Sequence, residues 1–334
     1  MYSHIQNIGK FPIALNNFIQ FIIIKNKYRV FLNIKVCYNR TRIGGSMKKY
    51  QIKKIGIDFK FIQDEPIVRG SRKKILAINN ERKIAMFKYE REDYECSEAC
   101  SEKLAYEIAK VLDYNCAKIE LAVDNDNNIG VLNYYFSDSK TPHTDIVAYL
   151  NRNTTERNNY YTISNIKSVL DDIDTTLFKD FIKIMIFDAL IGEQDRHEEN
   201  WGITEKDGKY FISPLYDNGD SLLREFKNYS NAKKYYDHIK DFDAYIERSK
   251  TIIYKEDNKE KYKHFELIKY LYDKYPKYVI PEINNLNKLT NEIIEDLVNK
   301  IPDELLTIEH KKYIIMYLIK RRDILLNIIK KEVK

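Results

Sequence analysis

The chain has 334 residues, 44% of them hydrophobic, with 56 basic against 50 acidic side chains and a formal charge of +6. That length supports one large domain or two lobes with a real core. The mild basic excess is spread along the chain and lacks the stripe of a dedicated nucleic-acid binder, so no direct nucleic-acid contact is expected. Four cysteines without a CxxC pair exclude a zinc site built on paired thiolates and fit a reducing, cytoplasmic setting. The longest apolar run near the start, Phe18–Ile24, is too short for a membrane span, which needs about 20 residues.

Residues 1–46 carry scattered apolar residues with neither helical nor strand period. Gly44-Gly45, just before Met47, reads as a translated purine-rich ribosome-binding sequence. Residues 1–46 are therefore expected to be a non-native or disordered extension, with translation starting at Met47. A genuine N-terminal extension or strand pair is the alternative.

From Lys48 the pattern is strand-like, with Ile52, Ile55 and Ile57 in one run. Pro66–Lys74 interrupts it. Ile75–Asn79 and Lys83–Glu90 then predict two strands joined by a turn at Asn79-Asn80-Glu81. Ser97–Leu112 predicts a helix whose stripe is Leu104, Ile108, Val111 and Leu112, with acids near its N-terminus. Ala117–Val123 and Gly130–Phe136, split by the turn residues Asp124–Asn128, predict a hairpin. From about Asp138 the chain reads as helical. Leu177–Ile191 is apolar on nearly all sides, as a buried helix is. Trp201–Thr204 and Lys209–Ser213 predict a small hairpin around Lys206-Asp207-Gly208, and Phe226–Lys334 reads as helices.

The chemistry concentrates behind the buried helix. Asp195 and Asn200 lie five positions apart in the following loop, and Asp217 follows the hairpin in PLYDNG. The hairpin reverses the chain, so these two carboxylates and one amide can converge. Phosphoryl transfer needs such a set: one carboxylate for the attacking hydroxyl, and Asp and Asn oxygens for Mg²⁺. Earlier in the chain, Gly70 and Ser71 can offer backbone N–H groups to phosphate oxygens, beside the positive Arg72, Lys73 and Lys74. Lys88 sits in a strand where an apolar residue would pack better and needs a counter-ion, for which Glu98 or Glu102 is available. Each residue alone also fits a bland role, as turn Asp and Asn or as a solvated Lys. His197 is assigned to orienting the loop, Arg196 to solvent or a carboxylate partner, and Trp201 to packing.

The order V-x-G-S, strand Lys, helix Glu, D-R-H-x-x-N and P-x-Y-D resembles the HipA-like serine/threonine kinases, in particular the compact stand-alone members similar to CtkA. The D-R-H-x-x-N element is also similar to phosphatidylinositol 3/4-kinases. The resemblance covers roughly residues 55–223. It implies an α+β, two-lobed protein-kinase-like fold. The N-lobe, about Met47–Phe136, would be an antiparallel β-rich sheet with one helix; the C-lobe, about Ser137–Lys334, would be helical. It implies ATP and Mg²⁺ as cofactors and a protein Ser or Thr as acceptor. By this likeness Asp195 is the catalytic base, and Asn200 and Asp217 hold the metal. Val68, Arg69, Gly70 and Ser71 form the phosphate loop, with Lys74 at its end. Lys88 contacts the phosphates, and Glu102, which directly precedes the apolar stripe, is its helix partner. Tyr134, Tyr135 and Phe136 form the adenine hinge.

The sequence departs from the family in three places. Ile67 stands where toxin-type members carry a Ser, leaving Ser71 as a candidate replacement. The additional N-terminal subdomain of those enzymes has no counterpart, so no obligatory antitoxin partner is expected. Asn218-Gly219 follows the metal Asp in place of the Phe-Gly of eukaryotic kinases. The rival readings are a lipid or small-molecule kinase and a non-catalytic ATP-binding effector module.

Overall fold

A computed structural model describes residues 48–62, 67–68, 73–91, 98–150, 156–224, 233, 238–256 and 259–330. Residues 1–47, Arg69, Gly70, Ser71 and Arg72 lie outside the described residues, as do Cys37 and Cys96. Met47–Lys334 forms one compact unit.

The first part of the described chain builds one sheet. Its strands are β1 (Ile52–Lys54), β2 (Phe59–Phe61), β3 (Ile67–Val68), β4 (Lys73–Asn79), β5 (Ile84–Tyr89), β6 (Ile119–Val123) and β7 (Ile129–Tyr134), with helix α1 (Glu98–Val111) between β5 and β6. The spatial order is β1-β6-β7-β5-β4-β2, with β3 also on β4. All pairs are antiparallel except β1 with β6. Turn chemistry fixes the registers. Asn79 Oδ1 accepts the N–H groups of Glu81 and Lys83 at 3.0 and 2.8 Å, closing the β4–β5 hairpin. Asp124 Oδ1 does the same for Asp126 and Asn128 between β6 and β7. Both are side-chain mimics of a backbone turn. Phe59, Ile75, Ala77, Ala85, Phe87 and Leu132 bury one face of this sheet in a small core of its own.

The rest is mainly helical: α2 (Val147–Leu150), α3 (Arg157–Tyr160), α4 (Ile163–Ile173), α5 (Leu177–Ile191), α6 (Ile239–Arg248), α7 (His264–Lys274), α8 (Pro276–Asn285), α9 (Asn291–Asn299) and α10 (Ile308–Lys330). Helix α5 is buried nearly all round, which explains its lack of a polar face. It starts after Thr176 and stops at Gly192, whose φ of +75° is the left-handed conformation glycine adopts at helix ends.

Two expectations are corrected here. The region after residue 138 contains β8 (His143–Asp145), which pairs with the hairpin of β9 (Gly202–Lys206) and β10 (Lys209–Ile212). The stretch read as wholly helical also holds an antiparallel pair, β11 (Lys250–Tyr254) and β12 (Lys261–Lys263). Three-residue strands such as β8 and β12 are too short to display an alternating pattern, and tertiary pairing alone defines them. Among the described residues no helix is long and apolar enough to cross a membrane.

Candidate active site

Lys88 projects from β5 and is 6% exposed, an expensive place for an ammonium without partners. It has two. Its Nζ donates to Glu102 Oε1 at 2.8 Å and to Asp217 Oδ1 at 2.7 Å. Burial works against the charged form, but Asp217 and Glu102 outweigh it and hold the ammonium above the usual lysine range.

The helix that supplies Glu102 is itself tied to the end of β5. Glu90 accepts the N–H groups of Glu98 and Ala99 at 2.7 and 2.8 Å. A carboxylate on two orphan N–H groups also opposes the positive end of the helix dipole. Glu102, four residues in, is thereby aimed at Lys88. Its second oxygen accepts the Asn218 N–H at 3.2 Å, so α1 grips the loop that bears Asp217. Of the two acids that the residues alone left open, the structure pairs Glu102 with Lys88. Glu98 is buried against Gly219 instead, where a Cβ would lie 2.5 Å from its Oε1.

The loop after α5 is held from below by Arg196. This side chain is 4% exposed. Its guanidinium donates to both oxygens of Asp188 on α5, to the Asn200 and Tyr216 carbonyls, and to Asn218 Oδ1. One planar fork therefore binds the 195–200 loop and the 216–218 segment to the same helix. Of the two roles expected for Arg196, pairing with a carboxylate holds and exposure to solvent does not. Asn200 donates its amide to the Asp195 carbonyl at 2.8 Å, and the His197 N–H donates to the same carbonyl at 2.7 Å. His197 Nδ1 accepts the Glu199 N–H, a loop-orienting contact. Asp217 adopts φ +55°, a left-handed conformation that Asp tolerates better than most residues. Trp201 packs on Phe181, and its Nε1–H donates to the Tyr161 hydroxyl, which donates to the Arg196 carbonyl.

Lys88, Asp195, His197, Asn200 and Asp217 line a cleft of about 630 Å³. The sheet contributes Lys74, Met86, Lys88 and Asn133; the helical part contributes Asp195, Asn200 and Asp217. Lys74 and Lys88 stand directly opposite each other in the β4–β5 ladder. Asp195 is exposed at the cleft. Desolvation pushes its carboxyl up; His197 pulls it down, while Asp220 and Asp217 add to the rise. A more basic carboxylate is a better proton acceptor near neutral pH.

The sequence-predicted residues meet unevenly. Lys88, Glu102 and Asp217 touch, and Asp195, Asn200 and Lys74 share the cleft. Val68 pairs with Lys73 in β3–β4, while Arg69, Gly70 and Ser71 are outside the described residues. Tyr134, Tyr135 and Phe136 do not line the cleft with their side chains. The Tyr134 N–H bonds the Lys118 carbonyl and the Tyr135 N–H the Ile84 carbonyl, so the sheet already uses both donors. Phe136 packs against His143 and Tyr216. Sequence reasoning missed Glu90, Arg91, Asp145, Glu193, Asp220 and Arg224. Asp145 lines the cleft from β8 and accepts from the Tyr216 hydroxyl at 3.0 Å. A three-residue strand gave no signal for it.

The donors offered around Asp217 are amide and carboxylate oxygens, and among the described residues no cysteine lines the cleft. Such a set suits a hard cation of the Mg²⁺ type. Among the described residues no three His, Cys, Asp or Glu gather into a metal cage. A cation there would complete its shell with water and substrate oxygens, as Mg²⁺ commonly does.

A family model described as the HipA-like C-terminal domain matches residues 43–304. No curated protein matches the sequence. Among solved structures, the proinflammatory kinase CtkA of Helicobacter pylori aligns with a TM-score of 0.70 at 18% identity, over 84% of this chain and 100% of that one. HipA of Shewanella oneidensis MR-1, solved with HipB and operator DNA, aligns at 0.49 and 14%, over 80% and 66%. The Golgi casein kinase with Mn/ADP bound aligns at 0.44 and 15%, over 86% and 75%. The fold is the expected α+β arrangement, kinase-like, with a curled and largely antiparallel sheet beside a helical region.

Proposed function

This chain belongs to the HipA-like C-terminal domain family, and we propose that it is a kinase that moves the γ-phosphate of ATP to a Ser or Thr hydroxyl of a protein. One observation carries the reading. Lys88 from the sheet, Glu102 from α1 and Asp217 from the far loop meet within 2.8 Å at the wall of a cleft that Asp195 and Asn200 also line. The cleft volume falls in the usual range for small-molecule sites, roughly 300–1,000 Å³.

In this reading Lys88 and Lys74 hold phosphate oxygens, and the phosphate-loop role stays assigned to Val68–Ser71 on the resemblance alone. Met86 and Asn133 line the region expected for the base. With the N–H groups of Tyr134 and Tyr135 used by the sheet, an adenine edge would meet the hinge through its carbonyls or the Phe136 peptide. Asn200 and Asp217 would hold Mg²⁺, which when bound neutralises phosphate charge. Asp195 accepts the proton of the acceptor hydroxyl as its oxygen bonds to the γ-phosphorus. The bond from that phosphorus to the β–γ bridging oxygen breaks, and ADP departs. Little covalent work falls to the protein, so positioning and electrostatics supply most of the rate.

The test is incubation with γ-labelled ATP and Mg²⁺, with a generic protein substrate and lipid vesicles in parallel. Labelling of protein by the parent chain, abolished in Asp195→Ala, supports the reading. Labelling of lipid alone transfers it to the lipid-kinase class. ATP binding without any transfer reduces it to a nucleotide-binding module.

A further inference from the structure

The last long helix reaches the catalytic loop through a buried polar chain that the phosphate chemistry does not use. Helix α5 ends at Gly192, and a Cβ there would lie 1.8 Å from the Tyr317 hydroxyl on α10. The turn into the catalytic loop therefore rests directly on α10. Glu193 follows and is 1% exposed. Its carbonyl accepts from His264 Nε2 at 2.7 Å, and its Oε1 accepts the Asp195 N–H at 2.8 Å. Behind His264 stands Arg321, fully buried, whose Nη2 lies 3.1 Å from His264 Nδ1. Arg321 also donates to the Ala189 carbonyl at 2.7 Å, to Ser249 Oγ at 2.9 Å and to the Tyr317 hydroxyl at 3.1 Å.

The donor directions leave one arrangement. A guanidinium only donates, so His264 Nδ1 must accept. The imidazole proton then sits on Nε2 and is given to the Glu193 carbonyl. The imidazole is neutral and locked in one tautomer and one orientation.

Such a chain is costly. A buried guanidinium and a buried carboxyl could be replaced by well-packed apolar side chains with no loss of stability, and often with a gain. Burial also pushes the Glu193 carboxyl well above its ordinary range. What the polar groups supply, and apolar ones cannot, is a fixed position for the peptide that precedes Asp195.

We propose that Arg321 and His264 are positioning residues for the catalytic loop, acting through Glu193 to fix Asp195 in its reactive geometry. The proposal rests on the reading of Asp195 as the base, and it extends the site to the last helix, 126 residues beyond Asp195 in the sequence.

Three full-length variants test it. His264→Leu removes the donor to the Glu193 carbonyl, and His264→Gln returns an amide N–H. In Arg321→Lys the charge stays while the fork is lost. For His264→Leu we expect kcat to fall by roughly 10²-fold, the order that a misplaced catalytic group loses. The ATP dissociation constant should change by no more than about twofold, because no ATP-binding group is touched. Hydrogen exchange of a peptide covering 192–200 should accelerate by about tenfold while the 177–190 peptide stays protected. His264→Gln should recover most of both effects. Unchanged exchange in the 192–200 peptide, or kcat per ATP-binding site equal to the parent's, would overturn the proposal. Should His264→Leu not fold, Arg321→Lys is read by the same two measurements. If the parent transfers no phosphate, the kinase reading fails, and the exchange measurement still decides whether the chain holds the loop.

Discussion

Replacing Lys88 by methionine leaves Glu102, which is 1% exposed, without the ammonium that neutralises it. Removing one member of a buried ion pair costs about 3–5 kcal/mol. Asp217 is about a third exposed, so water takes over its half of the contact at little cost. The single variant Lys88→Met is therefore expected to lose stability of that order. Adding Glu102→Leu removes the stranded charge and leaves an apolar pair of similar volume. One debt remains, because the Asn218 N–H loses Glu102 Oε2 as acceptor. An unsatisfied buried donor costs about 1–3 kcal/mol. The double variant should thus regain at least part of the lost stability, while neither variant transfers phosphate. Urea unfolding followed by circular dichroism reads the stabilities, and γ-labelled ATP reads the transfer. A single variant as stable as the parent, or a double variant less stable than the single one, would refute the buried-pair reasoning. Phosphate transfer by either variant would refute the role of Lys88.

Asp195→Asn keeps the shape and removes the base, so kcat should fall by roughly 10²–10⁴-fold with nucleotide affinity nearly unchanged; equal kcat would exclude a proton-accepting role. Asp217→Asn should cost several orders of magnitude in rate, roughly 10³-fold or more, and weaken the Mg²⁺ dependence of nucleotide binding measured by calorimetry. Arg196→Met should destabilise the fold by about 3–5 kcal/mol, because it strands the buried Asp188 carboxylate, and thermal unfolding reads the loss. His264 gives a pH dependence of known sign. Burial first, and Arg321 second, push its imidazole down to about 3. An unfolded histidine titrates near 6.5, so between these values the unfolded state binds a proton that the folded state refuses. The stability that depends on a neutral His264 is complete above about pH 6.5 and is lost as pH falls toward 3, by at most roughly 1.4 kcal/mol per pH unit. Stability measured in urea at pH 7, 6 and 5 should therefore fall less steeply in His264→Gln than in the parent.

Much of this protein was legible from local pattern. Period-two runs announced the two long hairpins, and the all-round apolar stretch announced α5. These signals are local because strand alternation, helix stripes and turn residues act over a few positions of the backbone. The resemblance already favoured Glu102 over Glu98, but the contact with Lys88 needed the helix to be docked, since both acids share one face of α1.

Only tertiary structure decided the rest. Lys88 and Asp217 are 129 residues apart, and no periodicity links them. The anchoring of α1 by Glu90, the fork of Arg196 under the 195–200 and 216–218 segments, and the reach of Arg321 and His264 to Glu193 are likewise long-range or depend on burial. A charged side chain reads in sequence as a solvated surface. It becomes an organising centre only where packing removes water and leaves a few backbone carbonyls and carboxylates as its partners.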